Sequence, residues 1–267
     1  MKKTHWIWAG LVAAAGLLVL GLAGCSTVRA QLPKKLLVVT VTKGYRHASI
    51  PTGEKVLADL AAKSGEFTLD YVRTDQDMAE KMTADALKQY DGVIFESTTG
   101  DLPLPDKAAF LEWIKSGKAF IGMHAATDTF HSRGGVDPYI EMIGGEFLKH
   151  GPQVTVECLN EDPAHPATQG IGKSWSVHDE IYQMTNFSRA NVHGLLALDK
   201  HPNTGAPGYY PIAWCKMYGK GRVFYTSLGH RDDVWENPVY QAHILGGIEW
   251  ALGLKDGDAT PGAPATP

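Results

Sequence analysis

The sequence predicts an α/β fold, with a doubly wound, mostly parallel sheet between two layers of helices in a three-layer sandwich. Short apolar runs rich in β-branched residues, such as 36–42 (LLVVTVT) and 92–97 (GVIFES), are typical of strands buried on both faces. Segments with a helical spacing of apolar residues lie between such runs. Alternating strands and helices predict a parallel sheet, because each helix carries the chain back to begin the next strand.

The predicted elements of the first half follow one another closely. Pro51 and Pro105 each open a helix, since proline is favoured in the first helical turn, and Gly117 ends the second of these helices. The predicted order is strand 36–42, helix 51–63, strand 67–73, helix 83–89, strand 92–97, helix 105–117 and strand 119–123.

The second half is less regular. Tyr218-Gly219-Lys220-Gly221 separates two apolar runs and indicates a hairpin turn. The predicted elements are a helix at 139–143, strands at 153–159, 193–198, 211–217 and 221–229, and a final helix at 239–252.

The amino terminus has the features of a secretory signal. Lys2 and Lys3 precede the apolar stretch 7–22, and the ending Leu22-Ala23-Gly24-Cys25 resembles a bacterial lipobox. The resemblance implies that residues 1–24 are removed and that Cys25 is acylated. An uncleaved membrane helix is the alternative, although such a helix has no use for the lipobox ending.

Ser26 follows the cysteine, and no aspartate lies there to retain the protein in an inner membrane. We therefore expect residues 25–34 to tether the domain to an outer membrane, facing the periplasm. The formal net charge is −4 and becomes more negative when the two lysines leave with the signal, which argues against a nucleic-acid partner. The tail 255–267 is poor in apolar residues, and we expect it to be disordered.

One domain, residues 35–254, lies between the tether and the tail. Cys158 and Cys215 are the cysteines left after lipidation, and each lies in an apolar, strand-like run. They either pair in an oxidising compartment or remain buried free thiols, and burial in strands favours the second.

Polar side chains follow four of the predicted strands at their carboxyl ends. Open α/β sheets bind ligands at this edge, because the loops there converge over one crevice. We expect His124 and His230, at the ends of two such strands, to share one pocket. The strand ends carry Lys43–His47, Glu96–Asp101, His124, and His230 with Arg231, Asp232 and Asp233.

A set of short motifs, in order along residues 35–254, resembles the ThuA-like (trehalose utilisation) family. The resemblance implies the class I glutamine amidotransferase-like fold and a role in carbohydrate metabolism. The motifs are YRHASI (45–50), YDGVIFESTTGD (90–101), FIGMHAATDT (120–129), GGEFLKH (144–150), DPAHPAT (162–168), HDEIYQM (178–184), PIAW (211–214), YGKGRVFYTSLGH (218–230) and HILGGIEWALG (243–253).

In the amidotransferases the strand that matches 119–123 ends on a sharp turn with a cysteine nucleophile. This chain has His124 there, and Cys158 and Cys215 lie in other predicted strands. A thiolate mechanism therefore has no nucleophile, and cysteine-based glutamine hydrolysis is excluded.

Two kinds of chemistry remain open for the predicted site. One is acid–base catalysis on a sugar by His124, His230 and the Asp179-Glu180 pair, with Glu180 as the preferred base. The other is a divalent metal such as zinc, held by His124, His150 and His230, which would polarise a carbonyl or a water.

Further residues are candidates for substrate binding. Arg46 and His47 follow the first strand, Thr98, Thr99 and Gly100 form a candidate oxygen-binding loop, and Tyr182 offers a stacking face for a sugar ring. Asp128 lies just beyond His124.

We therefore expect an enzyme that acts on a disaccharide or an oxidised (keto) glycoside. The alternative is a non-catalytic lipoprotein that binds carbohydrate or joins a complex. A structural cell-envelope protein is disfavoured, because it needs no polar convergence at strand ends. The particular sugar, the bond and the oligomeric state are not determined by the sequence.

Overall fold

A computed structural model describes residues 1–5 and 32–262. Most of the predicted signal peptide, the acylation site Cys25 and most of the tether therefore lie outside the described residues. The described helices are all too short or too polar to cross a bilayer. The chain divides after Gln31, and the unit that begins at Leu32 contains the sheet and its helices.

The strands cover most of the apolar runs of the sequence. They are β1 (Lys34–Val39), β2 (Phe67–Val72), β3 (Gly92–Glu96), β4 (Ala119–Met123), β5 (Glu146–His150), β6 (Val154–Asn160), β7 (Ser174–Asp179), β8 (Tyr182–Thr185), β9 (His193–Lys200), β10 (Pro207–Tyr218) and β11 (Gly221–Thr226).

Most of the helices begin after a residue whose side chain accepts a free backbone N–H group, or have a proline in the first turn. Thr74 and Asp106, for example, accept hydrogen bonds from the first turns of their helices. The α-helices are α1 (Ile50–Ser64), α2 (Asp75–Lys81), α3 (Ala84–Leu87), α4 (Lys107–Lys115), α5 (Pro138–Ile143), α6 (Asp232–Glu236) and α7 (Pro238–Ala251).

The central sheet of the described part has nine strands in the order β2-β1-β3-β4-β11-β10-β9-β6-β7. Strands β2, β1, β3, β4 and β11 pair in parallel, and the remaining four extend the sheet by antiparallel pairing. The predicted fold class is confirmed, and the parallel half of the sheet is the part that the strand–helix alternation predicted.

Side chains of each parallel strand alternate between two apolar clusters, one on each face of the sheet. In β1, Leu36 and Val38 point to one face, and Leu37 and Val39 point to the other. Helices α1, α6 and α7 cover the first face, and α2 to α5 cover the second. This arrangement is the doubly wound, three-layer architecture.

Several elements were not predicted. Helix α2 is largely polar, strands β5 and β8 are short, and β7 alternates between buried and exposed residues. The hairpin at 218–221 is present, with Tyr218 opposite Gly221. Cys158 and Cys215 are both buried and free, so the disulfide alternative is wrong for this structure.

The tail also differs from its expected disorder, as far as Gly262. The Trp250 indole donates to the Gly257 carbonyl at 3.1 Å, and His193 Nδ1 donates to the Thr260 carbonyl at 2.9 Å. The backbone N–H of Gly262 donates to the carbonyl of Val192 at 2.9 Å. Backbone polar groups, rather than apolar side chains, fix this segment against the domain, which is why composition did not reveal it.

Candidate functional site

Four side chains from separate parts of the sequence meet at the carboxyl edge of the parallel strands. His47 follows β1, His124 follows β4, His230 follows β11, and Glu180 lies between β7 and β8. One nitrogen or oxygen atom from each residue lies within 4.8 Å of the corresponding atoms of the others. We call these four residues the histidine cluster.

His124 lies on a sharp turn directly after β4. Its backbone has a positive φ of 49°, a conformation that residues other than glycine rarely adopt. The Tyr225 hydroxyl donates to the His124 carbonyl at 2.7 Å and helps to hold the turn. The turn carries the buried imidazole to the position where the amidotransferase resemblance implies a cysteine.

The protonation of His124 follows from its surroundings. Nδ1 lies 2.8 Å from the carbonyl oxygen of Ser227, so Nδ1 carries the hydrogen and donates it. Burial, followed by repulsion from His47, lowers the pKa of His124 well below its ordinary value. The ring is therefore neutral, and its Nε2 presents a lone pair to the cluster.

His47 faces that lone pair. The Nε2 atoms of the two rings are 3.1 Å apart, and the His47 side chain is buried. Burial, followed by the charge of His230, lowers the pKa of His47 to about 4. His47 is thus also neutral at pH 7, which is the form that binds metal ions.

Glu180 supplies the negative charge of the cluster. Its Oε1 lies 3.4 Å from His230 Nδ1 and 3.8 Å from His124 Nε2, and its Oε2 lies 3.2 Å from His150 Nδ1. Interaction with this carboxylate raises the pKa of His230, and this effect outweighs burial. His150 therefore contacts Glu180 rather than the shared space, and His47 replaces it in the cluster.

Asp179 does not face the cluster. One carboxylate oxygen accepts the N–H of Glu180 at 2.9 Å, and the other accepts the N–H of Gly229 at 2.7 Å. Burial raises the pKa of Asp179 to about 6, although these two hydrogen bonds oppose the change. Asp179 joins the end of β7 to the loop that carries His230, so its geometry is that of a positioning residue.

A two-stranded ribbon of β5 and β8, separate from the central sheet, contributes two rings to the site. His150 and Tyr182 lie opposite each other across this ribbon. The Tyr182 hydroxyl lies 3.1 Å from His124 Nε2. The phenol ring is buried between His124 and Phe147, so it is not the exposed sugar platform that we expected.

The predicted oxygen-binding loop at 98–100 braces its neighbours instead. The hydroxyls of Thr98 and Thr129 lie 2.9 Å apart, and Thr99 Oγ1 accepts the N–H of Gly44 and donates to the carbonyl of Tyr45. Gly100 has a positive φ of 72° and backs onto Lys43. These hydrogen bonds connect the loops after β1, β3 and β4.

Arg46 and Asp128 also lie apart from the cluster. Arg46 is exposed, and its guanidinium donates to the carbonyl of Thr40 at 2.7 Å. Asp128 pairs with His131 Nε2 at 2.9 Å, and Glu146 pairs with the other nitrogen of the same ring at 3.1 Å. Asp128 is therefore engaged by His131, whereas Arg46 makes one hydrogen bond to the backbone and keeps its remaining N–H groups exposed.

The donor set of the cluster fits a transition metal such as zinc. Two nitrogens bound to one tetrahedral zinc lie about 3.3 Å apart, and the Nε2 atoms of His47 and His124 are 3.1 Å apart. The hydrogen bond from His124 Nδ1 to the Ser227 carbonyl is the outer contact that orients metal-binding imidazoles. Three imidazoles and one carboxylate are ligands that zinc and related ions prefer.

A cavity of about 690 Å³ lies at the loops that follow β3 and β4. Asp101, Phe130, Arg133 and Val136 are among its lining residues, and none of the cluster residues lines it. Solvent reaches the cluster beside His230, whose side chain is 19% exposed, and His150, which is 43% exposed.

Sequence reasoning assigned His47 to substrate binding rather than to the cluster. The available signal was its place after the first strand, which is equivalent to that of His124 after the fourth. This signal was obscured by the neighbouring Arg46, a more polar residue whose guanidinium donates to the Thr40 carbonyl.

Two crystal structures of ThuA-like proteins share this fold. The protein from Parabacteroides merdae has a TM-score of 0.69 and 22% identity, with 84% of this chain and 91% of that chain covered. The protein from Bacteroides uniformis has a TM-score of 0.66 and 23% identity, with 85% of this chain and 95% of that chain covered. No curated protein sequence matches the chain.

The family model described as trehalose utilisation matches residues 35–251, which is nearly all of the predicted domain. The match includes the motifs that supply all four cluster residues. The chain therefore belongs to the ThuA (trehalose utilisation) family.

Proposed function

We propose that this protein is a metal-dependent enzyme that acts on a disaccharide or an oxidised (keto) glycoside. A divalent transition metal such as zinc would be held by His47, His124, His230 and Glu180. The observation that carries the proposal is the convergence of their four ligand atoms within 4.8 Å.

The electrostatics of the cluster support cation binding. The Nε2 atoms of two neutral, buried imidazoles meet in one space, and a carboxylate faces the same space. A cation would replace the contact between the two rings with a bond to each nitrogen. A bound divalent ion would supply Lewis-acid activation of a carbonyl or a water.

The carbohydrate substrate is inferred from the family, whose description is trehalose utilisation. A keto group on a sugar ring is a suitable partner for such a site, because a metal ion polarises a carbonyl oxygen and acidifies the neighbouring C–H.

Elemental analysis tests the metal. Protein purified without an affinity tag should contain about one transition-metal ion per chain, and His230→Ala should lose it. His178→Ala, which changes an exposed histidine on β7, should retain the metal. Metal-free protein with full activity would contradict metal dependence.

Turnover tests the enzyme. The parent protein should consume a keto-disaccharide, and His230→Ala should show no turnover while its melting temperature stays within a few degrees of the parent value. Sugar binding without any turnover by the metal-loaded parent would instead favour the carbohydrate-binding lipoprotein.

The proposal includes a lipid anchor at Cys25 and a location on the outer membrane, facing the periplasm. The chain enters the fold at Lys34, at the amino end of β1, and His47 follows the carboxyl end of the same strand. Cys25→Ala should abolish labelling by a palmitate analogue, and unchanged labelling would contradict acylation at this residue.

A further inference from the structure

We propose that the Tyr182 hydroxyl is a hydrogen-bond donor to the oxygen atom that binds at the metal, whether this atom belongs to water or to substrate. In the metal-free protein the hydroxyl donates to His124 Nε2, and metal binding releases it. The inference rests on the proposed metal site and assigns a catalytic role to a residue outside the four ligands.

The direction of the existing hydrogen bond is fixed by His124. Because Nδ1 of this ring donates to the Ser227 carbonyl at 2.8 Å, Nε2 of the neutral ring has no hydrogen and can only accept. The Tyr182 hydroxyl, 3.1 Å away, is therefore the donor. It faces the same lone pair as His47 Nε2, which also lies 3.1 Å away, and a metal ion needs that lone pair.

A metal ion and the phenol cannot both use that lone pair. When His124 Nε2 binds the ion, the Tyr182 hydroxyl loses its acceptor. Within residues 32–262 it has no other hydrogen-bond partner, and Tyr182 is only 3% exposed. A buried hydroxyl without a partner is costly, so a new acceptor is strongly favoured.

The phenol is not free to turn away and find an acceptor elsewhere. Its ring centroid lies 4.5 Å from that of His124 and 4.3 Å from that of Phe147. The ribbon holds its backbone, with His150 directly opposite. The acceptor must therefore come to the hydroxyl, and an oxygen bound to the ion at the cluster is the group that would arrive there.

This geometry has a chemical use. A donor that is fixed before reaction, in a site with little water, stabilises negative charge that develops on the oxygen it faces. Tyr182 would favour ligands with an accepting oxygen and would help to stabilise an enolate or alkoxide oxygen.

Cobalt substitution tests the role without turnover. Chelator-treated protein is loaded with Co²⁺, and acetate, a simple oxygen ligand, is titrated while the visible absorption of the cobalt is recorded. Tyr182→Phe should bind one Co²⁺ per chain, as tightly as the parent or more tightly, because the competing donor is gone. Its dissociation constant for acetate should rise by about tenfold or more, since one hydrogen bond to an anion is lost.

Tyr90→Phe is the matched control. Tyr90 is also buried, and its hydroxyl donates to Asp70 at 2.8 Å, at the amino side of β3 and away from the cluster. This variant should bind both cobalt and acetate like the parent. Tyr182→Met, which removes the hydroxyl by a different substitution, should repeat the loss of acetate affinity if the phenylalanine variant folds poorly.

The possible results separate the two proposals. Unchanged acetate affinity in the Tyr182 variants, with cobalt bound, would overturn the role of Tyr182 and leave the metal site standing. Loss of cobalt from these variants would also overturn it, because Tyr182 would then be a ligand. A parent protein that binds no cobalt would overturn the metal site, and the donor role with it.

Discussion

The Nε2 atoms of His47 and His124 lie 3.1 Å apart, although 77 positions separate the two residues in the chain. Both rings are buried and neutral, and the structure gives His47 Nδ1 no hydrogen-bond partner among the described residues. Two imidazoles in this arrangement contribute little to folding, because one buried nitrogen remains unpaired in either tautomer. A role in binding a ligand explains the pair better than a role in stability.

His124→Asn should abolish metal binding with little loss of stability. Asparagine tolerates the positive φ of 49° at this turn, so the backbone can keep its conformation. Its shorter side chain cannot place a nitrogen where Nε2 lies. Elemental analysis should find no metal, and the melting temperature should fall by only a few degrees. Full metal content in this variant would remove His124 from the ligand set, and His178→Asn serves as the exposed-histidine control.

Much of the fold was predictable because local pattern determines it. The strands at 92–96 and 119–123 are continuous apolar runs, and the helix after Ile50 has proline in its first turn and one apolar face. The ribbon of β5 and β8 was missed because its residues, such as Lys149 and Gln183, lack apolar alternation.

The site was predictable only as far as strand ends determine it. His124 and His230 were expected to share a pocket, and their ring centroids are 5.4 Å apart. His47, rather than the predicted His150, is the third histidine of the cluster. Which of the two lies there depends on how loops from different strands pack, and the spacing of residues in the sequence does not determine this packing. Likewise, the adjacent carboxylates of Asp179 and Glu180 look alike in the sequence, yet Glu180 faces the cluster and Asp179 binds backbone N–H groups.

Asp179→Asn should weaken both stability and metal binding. An asparagine side chain can accept only one of the two backbone N–H bonds, from Glu180 and Gly229, and its amide group would oppose the other donor. Denaturant unfolding should show a loss of about 1–3 kcal/mol. Competition with a chelator should show about 10–100-fold weaker metal binding, because Glu180 and His230 lose their common support. Lost turnover with unchanged stability and metal affinity would instead place Asp179 in the chemistry.

Acid should destabilise the protein through buried histidines away from the cluster. Burial lowers the pKa of His243 to about 4, whereas the unfolded chain titrates near 6.5. Below pH 6.5 the unfolded state therefore binds a proton that the folded state does not, and stability falls as the pH decreases towards 4.

His243→Gln removes this titration. The parent should lose up to about 3 kcal/mol more stability than the variant between pH 7 and pH 4. Urea unfolding at a series of pH values measures the difference. Parallel curves for the two proteins would show that His243 is protonated in the folded state as easily as in the unfolded state.

Truncation after Lys255 should destabilise the domain, because the following residues are bonded to it. The lost contacts include those from Trp250 to Gly257 and from His193 to Thr260. At about 1 kcal/mol for each hydrogen bond, the loss should be about 2–3 kcal/mol in denaturant unfolding. Truncation after Gly262 removes no described contact and is the control. Equal stability of the two truncated proteins would support the disordered tail that composition predicted.

Helix α7 lies against β11 so closely that Gly247 has no room for a side chain. A Cβ atom there would lie 2.3 Å from Cε1 of the buried Phe224 ring. Alanine favours a helix over glycine by about 1 kcal/mol, but overpacking of this kind typically costs about 1–3 kcal/mol and the sheet behind Phe224 cannot move away. Gly247→Ala should therefore lower the free energy of unfolding, whereas Gly170→Ala, with open space around it, should change it by less than about 0.5 kcal/mol. A stabilised Gly247→Ala protein would mean that helix propensity outweighs the close contact with Phe224. The helix and the sheet could then move apart at little cost in free energy.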